Sequence, residues 1–521
     1  MNAFTAGSAS GLLERLTCAG WLFVLFVVSG CASWHREDAA AESALMAMPD
    51  GVPTRDLRLG VVAADEANSE TFSRGISGAA GMLGIMLKTY ATDPVARPIS
   101  TATSLVSLIR GTVADVLTRT SINVARLAPL TEEPIAPLSS GPGMDLAAWE
   151  RELDAITGSP AGSGSLEFLV DGEQYFTALL ASFERAQESI HIRTYIFDND
   201  DFALDVADLL KARSRQVDVK VLMDGIGTLS GGLAASSSVP ASFEPPESIA
   251  RYLRDGSGVQ ARTLTNAWFA GDHAKVTIID REVAYLGGMN IGREYRFDWH
   301  DLMVEVRGPI VAALARDSDI AWARSGMLGD LAAFVQSLRA EEPRSSGEGH
   351  PVRLLYTRPG HSQIYRAKLA AIRRAQRYIF IENPYFSDDA ILHELIAARR
   401  RGVDVRFVIA ERGDFSLMDM SNVMAVNEML ANGIRVYLYP RMTHAKAFIA
   451  DGWLMVGSAN LDKLSLRVND EINIATSHPS AVAALEERLF RVDFASSTEL
   501  TERLPQGPYH ILAELIADVL M

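Results

Sequence analysis

The chain has 521 residues, of which 48% are hydrophobic and 22% charged, so it can bury a large core in two or three domains. Its formal net charge of −16 argues against a polyanionic partner, and nucleic acid is not an expected ligand. The two cysteines, Cys18 and Cys31, are too few for a disulfide framework or a cysteine-based metal site.

The N-terminus has the features of an export signal. Residues 21–28 are apolar, a run too short for a folded membrane span but typical of a signal-peptide core. The run ends at Val28-Ser29-Gly30-Cys31, which resembles a bacterial lipobox. This resemblance implies a lipoprotein signal peptide at residues 1–30 and lipidation of Cys31, and an uncleaved anchor is the alternative. Ala32 follows the cysteine where lipoproteins retained in the inner membrane carry an acidic residue. We therefore expect the periplasmic face of the outer membrane of a Gram-negative bacterium.

Residues 31–164 are expected to connect this anchor to the folded domains. Residues 32–75 are rich in Ala, Asp and Glu and resemble a tether. Residues 76–128 carry apolar groups at helical spacing and predict two helices joined near Pro94 to Pro98. Such helices either lie on a bilayer or pack on a core, and core packing is favoured because it is the commoner case. The prolines, serines and glycines of residues 129–164 indicate a linker.

The rest of the chain contains two similar halves, at residues 165–340 and 350–500. A buried strand is predicted at 190–197 and again at 378–386, followed by a helix at 204–213 and 391–400. The next strand begins with Val-Asp-Val in both copies, at Val217 and Val403. This alternation predicts a mostly parallel α/β sheet in each half, with the halves related by an approximate twofold axis. A C-terminal helix is expected at residues 501–521.

Each half also carries a short polar motif. His273-Ala274-Lys275 and His444-Ala445-Lys446 both precede an apolar segment that predicts a buried strand. Residues two apart on a strand share a face, so each histidine lies beside its lysine. An imidazole next to an ammonium group combines a nucleophile or acid with a phosphate anchor. Each motif continues to an aspartate and then to a turn of small residues that ends in asparagine: Asp280 and Gly287-Gly288-Met289-Asn290, and Asp451 and Gly457-Ser458-Ala459-Asn460.

This duplicated pattern resembles the signature of the phospholipase D superfamily, over about residues 166 to 494. Residues 283–292, 383–386 and 457–462 are similar in particular to bacterial cardiolipin synthases. The resemblance implies two duplicated phospholipase D-type α/β sandwich repeats with pseudo-twofold symmetry, here preceded by a helical N-terminal region. It also implies a catalytic set without metal or cofactor, in which Asn290 and Asn460 hold the substrate phosphate. The implied catalytic residues are His273, Lys275, Asp280, His444, Lys446 and Asp451.

The role of the two aspartates is open at this point. Asp280 and Asp451 lie five residues beyond the lysines, roughly 16 Å along an extended strand, where a hairpin turn is expected. The superfamily motif counts them in the catalytic signature, whereas this spacing predicts that they fix the turns.

A second pair of carboxylates follows each motif at a similar distance. Asp301 lies 28 residues after His273, and Glu471 lies 27 residues after His444. A catalytic imidazole needs a carboxylate to fix its tautomer, and the resemblance places an acidic partner near this spacing. We expect Asp301 to orient His273 and Glu471 to orient His444, and the alternative is a pair of strand-edge acids that face solvent.

Aromatic residues close the first strand of each half. Tyr195 and Phe197 in one half, and Tyr385 and Phe386 in the other, either line a substrate channel or belong to the core.

The function implied by the resemblance is that of a phospholipid phosphatidyltransferase of the cardiolipin synthase type, with a phosphohistidine intermediate. The expected partners are a phospholipid substrate and a membrane, and the oligomeric state is open. The chain departs from the commonest cardiolipin synthase pattern because it lacks a pair of N-terminal membrane spans. A hydrolytic phospholipase D is therefore the main alternative, followed by a phosphodiesterase or nuclease on nucleic acid. A non-catalytic lipid-binding protein is disfavoured because both motifs are intact.

Overall fold

A computed structural model describes residues 89, 92–125, 134–233, 238–240, 242–265, 270–339, 349–414, 416–507, 510 and 513. The predicted signal peptide, the tether and the first predicted N-terminal helix lie outside the described residues, as does most of the predicted C-terminal helix. The chain divides into Met1–Leu87 and Lys88–Met521, and all described residues belong to the second unit. No helix within the described ranges combines the length and the apolarity needed to cross a bilayer.

Two helices precede the repeats, α1 (Pro98–Ala125) and α2 (Leu146–Thr157). The helix α2 lies inside the predicted linker, so the assignment of residues 129–164 as a linker is wrong there. The reason is Trp149, which is fully buried and packs edge-on against Trp453 of the second repeat, with ring centroids 5.0 Å apart. The start of α1 at Pro98 agrees with the predicted break near Pro94 to Pro98.

Within the described residues, the first repeat contains seven strands and six α-helices. Asp200 caps α4, since its carboxylate accepts a hydrogen bond from Ala203 N at 2.7 Å. The elements are β1 (Gly162–Val170), α3 (Asp171–Arg185), β2 (Ser189–Thr194), α4 (Asp201–Arg213), β3 (Asp218–Asp224), α5 (Gly225–Leu233), α6 (Ile249–Arg254), β4 (Gln260–Leu264), β5 (Val276–Ile279), β6 (Val283–Gly287), a π-turn (Glu294–Asp298), β7 (Leu302–Arg307), α7 (Val311–Arg324) and α8 (Gly329–Ser337).

The second repeat follows the same order. Asp388 caps α10 as Asp200 caps α4, with its carboxylate 2.9 Å from Ile391 N. The elements are β8 (His350–Arg358), β9 (His361–Ser362), α9 (Gln363–Arg374), β10 (Tyr378–Glu382), α10 (Asp389–Arg400), β11 (Asp404–Ala410), α11 (Ser416–Ala431), β12 (Arg435–Tyr439), β13 (Ala447–Ala450), β14 (Trp453–Gly457), α12 (Lys463–Arg467), β15 (Glu471–Thr476), α13 (Pro479–Leu485), a π-turn (Glu486–Phe490), α14 (Arg491–Ser496) and β16 (Thr498–Glu499).

Each repeat forms a mixed sheet, and the prediction of a mostly parallel sheet is wrong. The strands β2, β3 and β4 pair in parallel, but β5, β6 and β7 join them as antiparallel neighbours. The second repeat has the same arrangement in β10 to β15. The alternation of strand and helix predicts only the parallel part, because the hairpin that follows each His-x-Lys motif adds strands without an intervening helix.

The two repeats share a core, which confirms the α/β sandwich. A short antiparallel pairing of β1 with β8 joins them into a 16-stranded sheet. Apolar side chains of β5 and β6 pack against those of β13 and β14 between the two halves, while separate clusters pack the outer helices onto each half. All four residues of β5 and of β13 are buried, because these strands have protein on both faces.

Candidate active site

The segments before β5 and β13 carry the catalytic motifs and meet at the seam between the repeats. The backbone N–H of His273 donates to the carbonyl of Asp470 at 3.0 Å, and the N–H of His444 donates to the carbonyl of His300 at 2.6 Å. Both hydrogen bonds connect one repeat to the other. They bring the two histidines, more than 170 positions apart in sequence, into one site.

Each histidine is paired with a carboxylate of the opposite repeat. His273 Nδ1 lies 2.8 Å from Glu471 Oε1, and His444 Nδ1 lies 2.7 Å from Asp301 Oδ2. The two acids predicted from spacing are therefore histidine partners, but the predicted assignment within each repeat is wrong. The seam hydrogen bonds place the start of β15 beside His273 and the start of β7 beside His444, so distance along the chain does not identify the partner.

This pairing fixes how each imidazole can act. With Nδ1 held by a carboxylate, Nε2 is the atom left for attack on phosphorus or for proton transfer. Burial, followed by the charges of Lys275 and Lys446, lowers the pKa of both histidines well below its usual value. Burial also raises the pKa of Asp301 to about 7 and that of Glu471 to about 8, although the same lysines oppose the shift.

The turns after β6 and β14 support the two carboxylates differently. A Cβ atom at Gly288 would lie only 2.1 Å from Asp301 Oδ1, so this position leaves room for the carboxylate only as glycine. The equivalent Ser458 donates its hydroxyl to Glu471. The sequence shows the difference between Gly-Gly-Met-Asn and Gly-Ser-Ala-Asn. The role of the serine can be assigned only once it is known which acid lies beside which turn.

The lysines form the cationic part of the site. Lys275 Nζ donates to the carbonyl of His273 at 2.9 Å, and Lys446 Nζ donates to that of His444 at 2.6 Å. Burial lowers the pKa of Lys275 to about 7 and that of Lys446 to about 8, and the carboxylates Glu471 and Asp301 oppose both shifts. The charge of Lys446 lowers the pKa of Lys275 further. A phosphodiester anion between them would favour their charged forms, which suits a phosphate-binding role.

The two predicted phosphate-binding asparagines are buried at this site. Asn290 Oδ1 accepts hydrogen bonds from Ile196 N at 3.0 Å and from the Thr194 hydroxyl at 3.3 Å. Its amide oxygen is therefore engaged, and its NH₂ group is the part suited to a phosphate oxygen. Asn460 follows β14 at the matching position, and its amide lies against the carboxylate of Asp462.

Aromatic rings surround both histidines. The ring of Tyr195 lies edge-on to His273 with centroids 4.7 Å apart, and Lys275 Nζ lies 5.0 Å from the same ring. Trp299 and Tyr295 lie 5.3 Å and 5.7 Å from the ring of His444. Of the aromatics that close the first strands, Tyr195 thus contacts the catalytic groups, whereas Phe197 and Phe386 are core residues and Tyr385 donates its hydroxyl to Asp414. Trp299 and Tyr295 were not predicted, although both closely precede Asp301.

Asp280 and Asp451 lie at the far ends of β5 and β13, and their assignment as catalytic residues is wrong. The carboxylate of Asp280 accepts hydrogen bonds from the backbone N–H groups of residues 187, 188 and 189. That of Asp451 binds the N–H groups of residues 144, 376, 377 and 378. Both aspartates have positive φ angles, 52° and 45°, as hairpin turns require. The interpretation from spacing, that they fix turns, agrees with the structure.

A buried cation lies on each flank of the site, and neither was predicted. On the His273 side, Arg193 contacts Asp272 at 2.6 Å, Asp317 at 2.8 Å and Asp470 at 3.8 Å. On the His444 side, His300 contacts Asp171, Glu382 and Asp493 at distances of 2.7, 3.7 and 3.2 Å. Burial lowers the pKa of His300, but its hydrogen bonds to the carboxylates outweigh this and raise the pKa well above its usual value.

Two histidines paired with carboxylates, two lysines and a twofold α/β sandwich define a phospholipase D-type phosphodiester site. The chain belongs to the family described as "Cardiolipin synthase, PLD-like domain", whose model matches residues 179–318 and 369–492. It is accordingly an enzyme of the phospholipase D superfamily.

Two curated relatives and one solved structure illustrate the similarity. A cardiolipin synthase of Listeria welshimeri is 28% identical over 352 residues, which cover 65% of this chain and 70% of that protein. Cardiolipin synthase B of Salmonella typhi is 31% identical over 327 residues, covering 59% and 75%. A crystal structure of phosphatidylserine synthase from Haemophilus influenzae has a TM-score of 0.53 at 13% identity and covers 76% of this chain and 99% of its own, which shows the fold alone.

Proposed function

We propose that the protein is a phospholipid phosphatidyltransferase of the cardiolipin synthase type. The observation that carries this proposal is the pair of crossed histidine–carboxylate contacts, 2.8 and 2.7 Å long, beside two buried lysines. Such a site offers one imidazole to attack phosphorus and another to handle the proton of the leaving group. Family membership supports a phospholipid as the substrate.

In the first half of the reaction, Nε2 of His273 attacks phosphorus and a P–N bond forms. The P–O bond to the leaving alcohol breaks, and His444 donates a proton to that oxygen. Burial and the lysines lower the pKa of His444 in the free site, and the bound phosphodiester anion opposes this shift and favours the protonated form. In the second half, His444 takes the proton of the incoming alcohol, whose oxygen displaces His273 from phosphorus. Lys275, Lys446 and the two asparagine amides hold the phosphate oxygens and stabilise the charge of the transition states.

His273 is assigned as the nucleophile on the resemblance to the superfamily, in which the first histidine attacks. Asp470 does not support the acid role of His444, because its side chain contacts Arg193 and Arg324, and the adjacent Glu471 pairs with His273.

The test is incubation of the full chain with phosphatidylglycerol, phosphatidylethanolamine and plasmid DNA in parallel, with products resolved by mass spectrometry. Cardiolipin and free glycerol from phosphatidylglycerol are the expected products, and His273→Ala and His444→Ala are the matched inactive controls. Phosphatidic acid without cardiolipin would establish the hydrolytic alternative, and cleaved DNA alone would establish the nuclease. Acid-quenched trapping and peptide mapping should place the phosphoryl group on the peptide containing His273, and label only on that containing His444 would reverse the assignment.

We also propose that the protein is a lipoprotein attached through Cys31 at the periplasmic face of the outer membrane. The sequence Val28-Ser29-Gly30-Cys31, preceded by the apolar run at residues 21–28, supports this proposal. An enzyme held at a bilayer by a lipid anchor needs no membrane span of its own to meet a phospholipid substrate.

A further inference from the structure

In residues 98–111, the part of α1 whose side chains are described, several apolar residues are exposed and several small residues are buried. Ile99, Val106 and Ile109 lie at helical spacing and are 69%, 46% and 39% exposed. Ser104 and Ser107 on the opposite face are 4% and 7% exposed. A helix that packs on a globular core usually buries such side chains. Here α1 packs on the fold through small residues, with Gly111 against Lys463, and these apolar side chains stay exposed.

The helix α8 likewise exposes large apolar side chains and buries small residues. Leu331, Phe334 and Leu338 occupy one face and are 60%, 61% and 70% exposed. Gly329 and Ala333 face the protein and are buried. Helix faces made of small residues permit close backbone packing, which leaves the large apolar side chains on the outside.

The two helices are in contact and form one surface. Ile99 N and Ser100 N, at the start of α1, donate to Asp330 Oδ2 at 2.8 and 2.9 Å. Gly329 packs so closely that a Cβ atom there would lie 2.0 Å from the carbonyl oxygen of Ala96. Ten of the fourteen large, exposed apolar side chains in the described part of the chain belong to this α1–α8 surface: Val95, Ile99, Val106, Ile109, Met327, Leu328, Leu331, Phe334, Val335 and Leu338.

The α1–α8 surface lies beside the catalytic seam and contacts both repeats. Arg97, next to the first turn of α1, donates to the carbonyl of Thr265 at the end of β4, at 2.8 Å. Further along α1, Gly111 lies against Lys463, and a Cβ atom there would be 3.6 Å from its side chain. Lys463 begins α12, three residues after the phosphate-binding Asn460. Near α8, Arg324 at the end of α7 contacts Asp470, whose carbonyl holds His273.

The charges around this surface suit a phospholipid bilayer. Within residues 92–111, Arg97 is buried and pairs with the buried Asp93, which leaves Arg110 as the exposed charged side chain. Arg110 and Arg339 are exposed, whereas the acid within α8, Asp330, is already occupied by the N-terminus of α1. Exposed aliphatic and aromatic side chains with basic residues at the edge are the features of helices that lie in a membrane interface. The surface begins at Val95, 64 residues after the proposed anchor at Cys31.

We propose that α1 and α8 form a bilayer-docking surface that seats the catalytic seam against the lipid from which it takes its substrate. This inference rests on the proposed function and extends it by naming the face of the enzyme that meets the membrane. Ile99, Phe334 and Leu338 enter the interface, and Arg110 and Arg339 meet anionic head groups.

The test places an environment-sensitive fluorophore on the α1–α8 surface of the full-length protein. Cys18→Ser and Cys31→Ser leave no native thiol, and Phe334→Cys then carries the fluorophore NBD, with Val492→Cys as the matched control. Val492, on α14, is 51% exposed and lies outside the surface. With equimolar phosphatidylglycerol–phosphatidylethanolamine vesicles, NBD at position 334 should shift to the blue and be quenched by nitroxide-labelled lipid. NBD at position 492 should do neither.

A double variant with two introduced charges measures how much the α1–α8 surface contributes to turnover. Phe334→Asp with Leu338→Asp should lower both vesicle partitioning and turnover of vesicle substrate about tenfold or more, since two apolar side chains no longer enter the interface. Turnover of a monomeric short-chain phosphatidylglycerol should stay unchanged. The control pair, Leu138→Asp with Val492→Asp, removes two apolar residues elsewhere that are 52% and 51% exposed, and it should change neither activity.

The outcomes separate this proposal from the proposed function. A probe at position 334 that stays in water while the protein sediments with vesicles would overturn the docking surface. A blue shift without vesicles that grows with protein concentration would also overturn it, in favour of a second copy of the chain. An NBD shift on vesicles in a protein that turns over no lipid would uphold the surface and refute the phosphatidyltransferase.

Discussion

The acid that orients each catalytic histidine belongs to the other half of the chain. His273 depends on Glu471 and His444 depends on Asp301, through contacts of 2.8 and 2.7 Å. Both carboxylates are buried, and each contacts the Nδ1 atom of the imidazole in the opposite repeat. At the scale of single residues, we therefore expect function to depend on tautomer control across the seam.

The first prediction concerns this control. Glu471→Gln and Asp301→Asn should each lower kcat by about 10³- to 10⁴-fold, because an amide can hold the imidazole in the wrong tautomer. Glu305→Gln is the matched control for Asp301, since Glu305 lies on the same strand β7 but contacts Tyr285 and Arg307. Steady-state kinetics measure kcat, and a thermal unfolding scan measures the stability of each variant. A loss of stability with normal kcat would assign the two acids a structural role only.

The second prediction concerns pH. Binding a phosphodiester needs charged lysines, and burial lowers the pKa of Lys275 to about 7 and that of Lys446 to about 8 in the free site. The lysines lose their protons as the pH rises, so kcat/KM should fall through this interval. Bound phosphodiester raises both pKa values, so the fall in kcat should begin at higher pH.

Lys275→Arg supplies the control for the pH prediction. A guanidinium does not titrate in this range, so the variant should lose the lower of the two deprotonation steps in kcat/KM. Profiles of kcat and kcat/KM on monomeric substrate give the comparison. A wild-type kcat/KM that stays flat through the interval would show that lysine charge does not limit substrate capture.

At the scale of elements, each hairpin after a histidine motif is fixed by an aspartate at its turn. Asp451→Ala removes the acceptor for four backbone N–H groups and places alanine at a φ of 45°. We expect the free energy of unfolding to fall by about 3 kcal/mol, with kcat of the folded protein nearly unchanged. Asp451→Asn should lose less, since it keeps one acceptor oxygen and tolerates this backbone conformation. A large loss of kcat at unchanged stability would return Asp451 to the catalytic set.

The N-terminal segment carries its own prediction. Cys31→Ala should leave an unprocessed precursor without lipid, because the thiol of this cysteine is the proposed attachment point. N-terminal sequencing and metabolic labelling with a radioactive fatty acid report the two properties. Normal processing after Gly30 in the variant, or a parent chain without label, would rule out the lipobox.

Local sequence patterns predict the elements of this fold better than their partners. The strands that begin at the duplicated Val-Asp-Val segments and the buried strands after each histidine depend on neighbouring residues, and the structure agrees with these predictions. Other features depend on contacts between residues 79 to 304 positions apart, which a local sequence pattern does not predict. They are the crossed acids, the Arg193 cluster and the packing of Trp149 against the second repeat. The prediction of a mostly parallel sheet was wrong for a different reason, since the hairpin after each histidine motif adds antiparallel strands without an intervening helix.

At the scale of the whole molecule, the seam is held by buried charge as well as by apolar packing. Arg193 of β2 is surrounded by carboxylates of both repeats, so it connects the fold of one half to the position of the other. Unfolding of either half would leave these buried charges without partners. The two repeats are accordingly expected to unfold as one cooperative unit.

Arg193→Met tests this coupling. The substitution leaves Asp272, Asp317 and Asp470 without their shared cation, and we expect a loss of about 3–5 kcal/mol in a single transition. Hydrogen exchange followed by mass spectrometry should show β5 to β7 and β13 to β15 losing protection together. Arg353→Met is the control, because Arg353 is buried but pairs with Glu150 and Asp154 of α2. Faster exchange confined to the first repeat would refute the coupling.

The two histidine–carboxylate pairs, each formed between the repeats, also constrain how such a chain could arise by duplication. A single ancestral copy would have held a histidine whose acid it could not supply to itself, so only a symmetric pair of copies would have been complete. Fusion of the two copies removed the requirement that they stay identical. One acid could then become a shorter aspartate beside Gly288 and the other a longer glutamate held by Ser458. Each half of the site is therefore assembled from both repeats: one copy supplies the histidine with its motif lysine, and the other supplies the acid and its turn.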